Sequence, residues 1–443
     1  NAEAFVYRNR SVERGGGHYL KIKLKGQKGN TAGLGARVCL YVDEQPYCQR
    51  LMPTRGFQSS VEPVLHFGVG AATRIDRVAV EWPTGLAQQL TEVPVDQTLL
   101  LEEEDAGTGI PSPEALHAPP LFASLTAAQS IDFTHRENDY NDFKREALLP
   151  RMLSTQGPRL AKGDVNGDGL DDLYLGGARG AAGQLFIQQP DGRFRSAAGQ
   201  PFGEHAGSED TDALFFDADG DGDLDLYVVS GGNEYEADDP ALQDRLYFND
   251  GRGAFRVATD QLPTMPASGG CVAAADYDGD GDADLFVGGR LIPGRYPRPP
   301  RSFLLENDGS GVFRDVTSER AAPLQRPGLV TDAVWSDYDA DGRPDLVVVG
   351  EWMPVSFYRN EEGRLRPVEI APRYSAAADS LPSTAGWWNR LAVADMDEDG
   401  DPDYVLANYG WNSQINAGAD APVRLYAKDF DGNGSVDPLL AYY

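Results

Sequence analysis

Six nine-residue segments of one pattern constrain this 443-residue chain more than any other feature. They are Asp164–Asp172 (DVNGDGLDD), Asp217–Asp225 (DADGDGDLD), Asp276–Asp284 (DYDGDGDAD), Asp337–Asp345 (DYDADGRPD), Asp395–Asp403 (DMDEDGDPD) and Asp429–Asp437 (DFDGNGSVD). Their first residues lie 53, 59, 61, 58 and 34 positions apart, so the first five mark one repeating unit and the sixth is out of step. A period of this length is the mark of stacked or ring-forming repeats. An apolar stretch precedes each loop (RLAKGD, ALFFD, CVAAAD, AVWSD, RLAVAD, RLYAKD), and another follows each of the first five (DLYLGG, DLYVVS, DLFVGG, DLVVVG, DYVLAN). In the first four units come a third apolar stretch (QLFIQQ, RLYFND, SFLLEN, VSFYRN), a Gly-containing turn and a fourth short strand. Four short strands per unit, without helical periodicity, predict all-β blades of a β-propeller. A β-solenoid is the alternative, but its rungs are shorter. Four full blades and a fifth starting at Asn389 make about five visible blades. The chain stops at Tyr443, just into the strand LLAYY, and reads as an excerpt of a longer ring.

Each loop places oxygen side chains at positions 1, 3, 5 and 9 and Gly at position 6. The sets are Asp164, Asn166, Asp168 and Asp172; Asp217, Asp219, Asp221 and Asp225; Asp276, Asp278, Asp280 and Asp284; Asp337, Asp339, Asp341 and Asp345; Asp395, Asp397, Asp399 and Asp403; and Asp429, Asp431, Asn433 and Asp437. Alternate oxygen donors in a tight loop suit Ca²⁺, which takes 6–8 oxygens at ~2.3–2.6 Å. Up to six Ca²⁺ ions are expected. An EF-hand needs Glu at position 12 between helices, whereas position 12 here is Leu175, Val228, Val287, Val348, Leu406 and Leu440, all in strand-like runs. Mg²⁺ keeps its waters, and the loops lack the Cys and His that zinc prefers. Asp/Gly turns that only reverse the chain are the plainer alternative, weakened by six repeats of one ligand spacing.

The first hundred residues differ. Leu20–Lys25 alternates strictly, and further strands are expected at Val38–Val42, Tyr47–Leu51, Val64–Phe67, Arg77–Trp82 and Thr98–Leu101, which predicts a small β-sandwich over 1–105. A linker and lead-in segment over 106–147 then reaches a propeller over 148–443. Cys39 and Cys48 fall opposite each other if the hairpin turns at Asp43-Glu44, so a disulfide and two buried thiols are both open. Cys271 reads as a small core residue. The net charge of −30 argues against nucleic acid and anionic lipid as partners. No apolar run reaches the ~18–20 residues of a spanning helix.

Gly33-Leu34-Gly35-Ala36-Arg37-Val38, His66-Phe67-Gly68-Val69-Gly70 and Val80-Glu81-Trp82-Pro83-Thr84-Gly85 resemble the ASPIC/UnbV domain, the module shared with cartilage acidic protein. The loop-plus-strand units resemble the FG-GAP/VCBS repeats of integrin-α-type propellers. Leu149-Pro150, Gly157-Pro158, Gly163-Asp164 and Gly350-Glu351-Trp352-Met353-Pro354 are similar to the large VCBS-repeat surface proteins of Bacteroidota. The resemblance implies a calcium-binding propeller beside a nutrient-uptake system of SusC/SusD type, and leaves activity undefined. In that family the ASPIC/UnbV domain commonly follows a propeller. Here it comes first, and Phe5–Asn9 looks like the third strand of a preceding blade.

The five histidines form no HExxH, and neither GxSxG nor a Walker A loop occurs. His135-Arg136-Glu137-Asn138-Asp139 with Asp142 could hold an acid/base pair or a metal; a polar loop at the propeller entrance is the plainer reading. Lys162-Gly163-Asp164 resembles an integrin-binding tripeptide, but its aspartate belongs to the first metal loop. Trp387, Trp388 and Trp411 could form a sugar-stacking surface or fill space between blades. The expected role is a non-catalytic, extracellular calcium-binding module contacting a protein or glycan at the cell surface. The alternatives are glycan or glycopeptide capture beside an outer-membrane transporter, and a lyase or hydrolase working on the propeller face.

Overall fold

The computed structural model describes residues 17–27, 29–43, 45–56, 59–108, 131–369, 384–410 and 421–442. Contacts divide the chain into two units, Asn1–Ser124 and Leu125–Tyr443.

In the first unit the alternation of His18–Lys25 is realised as a strand with Leu20, Ile22 and Leu24 buried. It lies between Val64–Gly70, antiparallel, and Gln97–Glu102, parallel. A second sheet runs in the order Gly107–Thr108, Leu86–Pro94, Arg74–Glu81, Arg37–Val42 and Gln45–Arg50. Both sheets feed one core through Leu20, Ile22, Phe67, Val38, Leu40 and Val78. At about 1.5–3 kcal/mol for each fully buried aliphatic or aromatic side chain, this core is the main stabilising term of the unit. The Leu86–Pro94 strand escapes a sequence reading because Gln88 and Gln89 break its alternation. Val42 pairs with Gln45, which sets Cys39 opposite Cys48, and the two cysteines form a disulfide.

The second unit is built of four-stranded antiparallel sheets. The first holds Leu160–Gly163, Asp172–Leu175, Gln184–Gln188 and Phe194–Ser196; the second Glu209–Phe216, Asp225–Gly231, Arg245–Phe248 and Arg256–Val257. The third holds Ser268–Ala275, Asp284–Leu291, Phe303–Asn307 and Phe313–Asp315; the fourth Leu329–Ser336, Asp345–Met353, Ser356–Asn360 and Leu365–Val368. A fifth unit opens with Gly386–Ala394, which pairs with Asp403–Asn408, and Arg424–Lys428 pairs with Asp437–Ala441. The opening strand thus begins at Gly386, three residues before the expected Asn389. It also pairs with the end of Asp345–Met353 through Glu351 and Trp387. The opening strands of successive sheets lie next to one another, which is the blade-on-blade arrangement of a propeller.

The continuous apolar character of the second strands has a simple cause. Leu226 and Val228 pack toward the first blade with Tyr174 and Leu185, whereas Tyr227 and Val229 pack toward the third with Leu285 and Val287. Phe286 packs on Leu346 and Val348, while Val347 and Val349 face Leu391 and Leu406. Successive strand residues point to opposite faces, and both faces are covered by a neighbouring blade. Cys271 is fully buried among these contacts, as expected.

Candidate metal centres

The loops join the first and second strands of each blade, and their backbone follows from two special positions. Position 6 is Gly in all six, with φ between 83° at Gly169 and 101° at Gly281. Position 4 is also left-handed: it is Gly in four loops, but Ala340 (φ 57°) in the fourth and Glu398 (φ 61°) in the fifth. This turn aims the position-6 N–H at the position-1 carboxylate in every loop, from Gly169 to Asp164 (2.7 Å), Gly222 to Asp217 (3.0 Å), Gly281 to Asp276 (3.1 Å), Gly342 to Asp337 (2.9 Å), Gly400 to Asp395 (3.0 Å) and Gly434 to Asp429 (2.9 Å). Position 5 accepts from the N–H of position 7 in every loop, Asp221 from Asp223 at 3.0 Å being typical.

Position 9 anchors the loop to its blade. Asp225 accepts from the N–H of Ala218 (3.0 Å) and of Asn249 (2.8 Å), and Asp284 from those of Tyr277 (3.3 Å) and Asn307 (2.9 Å). Asp172 accepts likewise from Val165 and Gln188, and Asp345 from Asn360. Asp403 and Asp437 accept from Met396 and Phe430.

Carboxylate oxygens within 4.8 Å of one another come from Asp217, Asp219 and Asp225; Asp276, Asp278 and Asp284; Asp337, Asp339 and Asp345; and Asp429, Asp431 and Asp437. In the fifth loop the trio is Asp395, Asp397 and Asp399. Thus four loops gather positions 1, 3 and 9, with Asp221, Asp280, Asp341 and Asn433 outside the trio. The fifth gathers positions 1, 3 and 5, with Asp403 outside it. The first loop forms no such trio among the described residues; Asn166 brings an amide to its position 3.

The donor set fits a divalent cation. One oxygen each of Asp219, Asp278 and Asp339 is buried without a hydrogen-bond partner, an arrangement that is costly without a positive partner. Burial, opposed by the backbone donors, pushes Asp225 up to about 6 and Asp284 up to about 7, with the neighbouring carboxylates adding to the rise. Burial likewise pushes Asp345 up to about 6. The fourth loop is distinct because two guanidiniums reach it: Arg359 lies 2.7 Å from Asp339, and Arg343 bonds Asp341.

In the second, third and fourth blades an asparagine at the end of the third strand ties the blade to the preceding loop, and this the sequence reading missed. Asn249 donates to the carbonyl of Val165 in the first loop (2.8 Å), Asn307 to that of Ala218 in the second (2.8 Å), and Asn360 to that of Tyr277 in the third (2.6 Å). Each also donates to a carbonyl of its own loop, Leu224, Ala283 or Pro344. The signal was present as Asn249-Asp250-Gly251, Asn307-Asp308-Gly309 and Asn360-Glu361-Glu362-Gly363, which read as turns alone.

The other candidate groups separate. His135 contacts Glu137 (2.8 Å), but Asp142 is fully buried elsewhere, accepting from Ser154 and Asn233. Among the described residues no hydrogen bond joins His135 or Glu137 to Asp142. Trp388 packs between the fourth and fifth blades and donates to the Thr384 carbonyl. Trp387 meets Trp352 (5.3 Å between ring centres) and Tyr409 (5.2 Å). Trp411 lies outside the described residues.

Residues 26–108 match the family described as ASPIC and UnbV, and residues 164–228, 229–287 and 337–406 match the FG-GAP-like repeat. The chain carries an ASPIC and UnbV domain followed by FG-GAP-like repeats. The three FG-GAP-like matches take in five of the six loops. No curated protein matches the chain. Among solved structures, it is similar to an Agrocybe aegerita lectin that recognises non-reducing terminal N-acetylglucosamine, with 18% identity, TM-score 0.38, 65% of this chain and 66% of the lectin covered. It is also similar to the V. cholerae biofilm matrix protein Bap1, with 17% identity, TM-score 0.29, and 58% of this chain and 36% of that one covered. A third is the Bacillus licheniformis rhamnogalacturonan lyase, with 12% identity, TM-score 0.35, and 96% and 73% covered. The chain therefore spans about two thirds of the lectin and about a third of Bap1.

Proposed function

We propose that this chain is a non-catalytic binding module of the cell exterior whose blades are held rigid by Ca²⁺. The observation that carries the reading is the recurring trio of aspartate oxygens with an unpartnered buried oxygen at position 3. Bound Ca²⁺ would supply positive charge to oxygens that otherwise repel one another. The protein's own part is to hold positions 1 and 9 in place through backbone N–H donors and to tie the first three loops to the next blade through Asn249, Asn307 and Asn360. FG-GAP repeats support a surface or binding role, and the Cys39–Cys48 disulfide supports an oxidising exterior. No helix among the described residues is long and apolar enough to cross a membrane.

The test is a thermal melt of the full chain with chelator, then with calcium or magnesium restored. A lower melting temperature that calcium restores better than magnesium is expected; a melt indifferent to chelator would refute the reading. At a free concentration 100 times Kd, each independent site adds about 2.7 kcal/mol. A second reading, capture of a glycan beside an outer-membrane transporter, draws support from the aromatic group Trp352, Trp387 and Tyr409, with the Arg151 guanidinium 5.9 Å from the Trp387 ring. Its check is co-purification of the intact protein with a transporter, or retention on a glycan array without turnover.

A further inference from the structure

A cavity of about 250 Å³ lies where opening strands of the blades meet the segment before the first blade. Arg151, Arg159, Arg290 and Arg390 line it, together with Thr331 and Asn389, and no carboxylate is among its lining residues. That is unexpected in a chain with 69 acidic and 39 basic residues. The arginines come from distant parts of the sequence: the stretch just before Leu160–Gly163, the second strand of the third blade, and the opening strand of the fifth unit.

The charges behind the wall do not balance the arginines fully. Arg290 and Arg151 share one carboxylate, Glu351, at 2.5 and 3.2 Å. Arg390 faces Asp332 at 3.4 Å, and Arg159 donates to the Thr211 carbonyl at 2.6 Å. Asp212, near Arg159, accepts from the Val272 N–H. The two most buried contacts thus fall on one carboxylate, since Arg290 and Arg151 both rely on Glu351. Arg290 is 2% exposed, and its Nη1 is buried without a hydrogen-bond partner, as is Nε of Arg151. Leaving a buried cationic donor unpaired is costly, and a planar guanidinium is matched by a planar oxyanion.

We propose that this cavity takes the carboxylate of a small organic acid the size of a single acidic sugar, with Arg151, Arg290 and Arg390 as its donors. The size follows from the volume, which lies below the roughly 300–1,000 Å³ of sites for drug-sized ligands. The proposal rests on the binding-module reading and names a ligand class for it.

The test is calorimetric titration of the calcium-saturated full chain with galacturonate, glucuronate, glucose and inorganic phosphate. At least one uronate binds with Kd on the order of 1 mM or tighter, while glucose does not bind. Arg390→Gln and Arg151→Gln each weaken uronate binding at least about tenfold, and added salt weakens it in the unmodified chain. Arg390 is the more exposed of the two, so its variant decides the matter if Arg151→Gln fails to fold; melting curves establish which variants are folded. Absence of heat with both uronates, equal binding of glucose, binding of phosphate alone, or unchanged affinity in folded Arg390→Gln would each overturn the proposal. Retention of the chain on a glycan array with silent uronate titrations would overturn the carboxylate cavity and leave the binding module standing.

Discussion

Glu209 and Glu234 show how one buried pair governs a pH response. Both are almost wholly removed from solvent. The Gly231-Gly232 turn brings them together: a Cβ at Gly232 would come 2.6 Å from Glu234 Oε2 and 3.0 Å from Glu209 Oε2. Burial, then the proton shared with Glu234 and its charge, pushes Glu209 up to about 10. The folded state therefore holds a proton that the unfolded chain releases above the ordinary value of 4.5. The stabilisation is full below pH 4.5 and is lost as pH rises toward 10, with a slope of at most about 1.4 kcal/mol per pH unit for one proton. Urea melts in saturating calcium from pH 5 to 9 should show this decline, and Glu209→Gln should flatten it. An unchanged slope in the folded variant would contradict the assignment.

Asn307 carries the corresponding argument for strands and loops. Its amide donates to Ala218 of the preceding loop and to Ala283 of its own, and its N–H donates to Asp284. Asn307→Ala removes both amide bonds and leaves two carbonyls to find other partners. A loss of about 1–3 kcal/mol in urea melts is expected, with weaker calcium binding in the loop Asp217–Asp225. Arg245 is a link within the second blade, 2.7 Å from Asp210 with both side chains buried. Arg245→Met should cost about 3–5 kcal/mol because it strips the buried Asp210 of its cationic partner. The strands and loops were readable in the sequence because Asp at fixed spacing and aliphatic runs are local signals. The asparagine links were not, because Asn-Asp-Gly reads as a turn whether or not its side chain reaches the next blade. Nor does any local pattern reveal that Arg151, Arg290 and Arg390 converge, since that requires the ring itself.

Across the whole molecule the balance is one of charge and closure. The net charge of −30 would fall to −18 with six Ca²⁺ ions bound, which reduces the self-repulsion opposing a compact state. The six loops are not equivalent. Asn166 takes the place of a carboxylate in the first, and Arg343 and Arg359 already engage the fourth. Calcium titration should therefore fill the loops at Asp217 and Asp276 ahead of that at Asp337, and Arg359→Gln should strengthen the last. The central claim is that aspartate trios at these loops hold divalent cations. Anomalous scattering from crystals of the full chain in saturating calcium tests it most directly. Peaks are expected within the trios Asp217, Asp219, Asp225 and Asp276, Asp278, Asp284; a map without signal at either would contradict the claim.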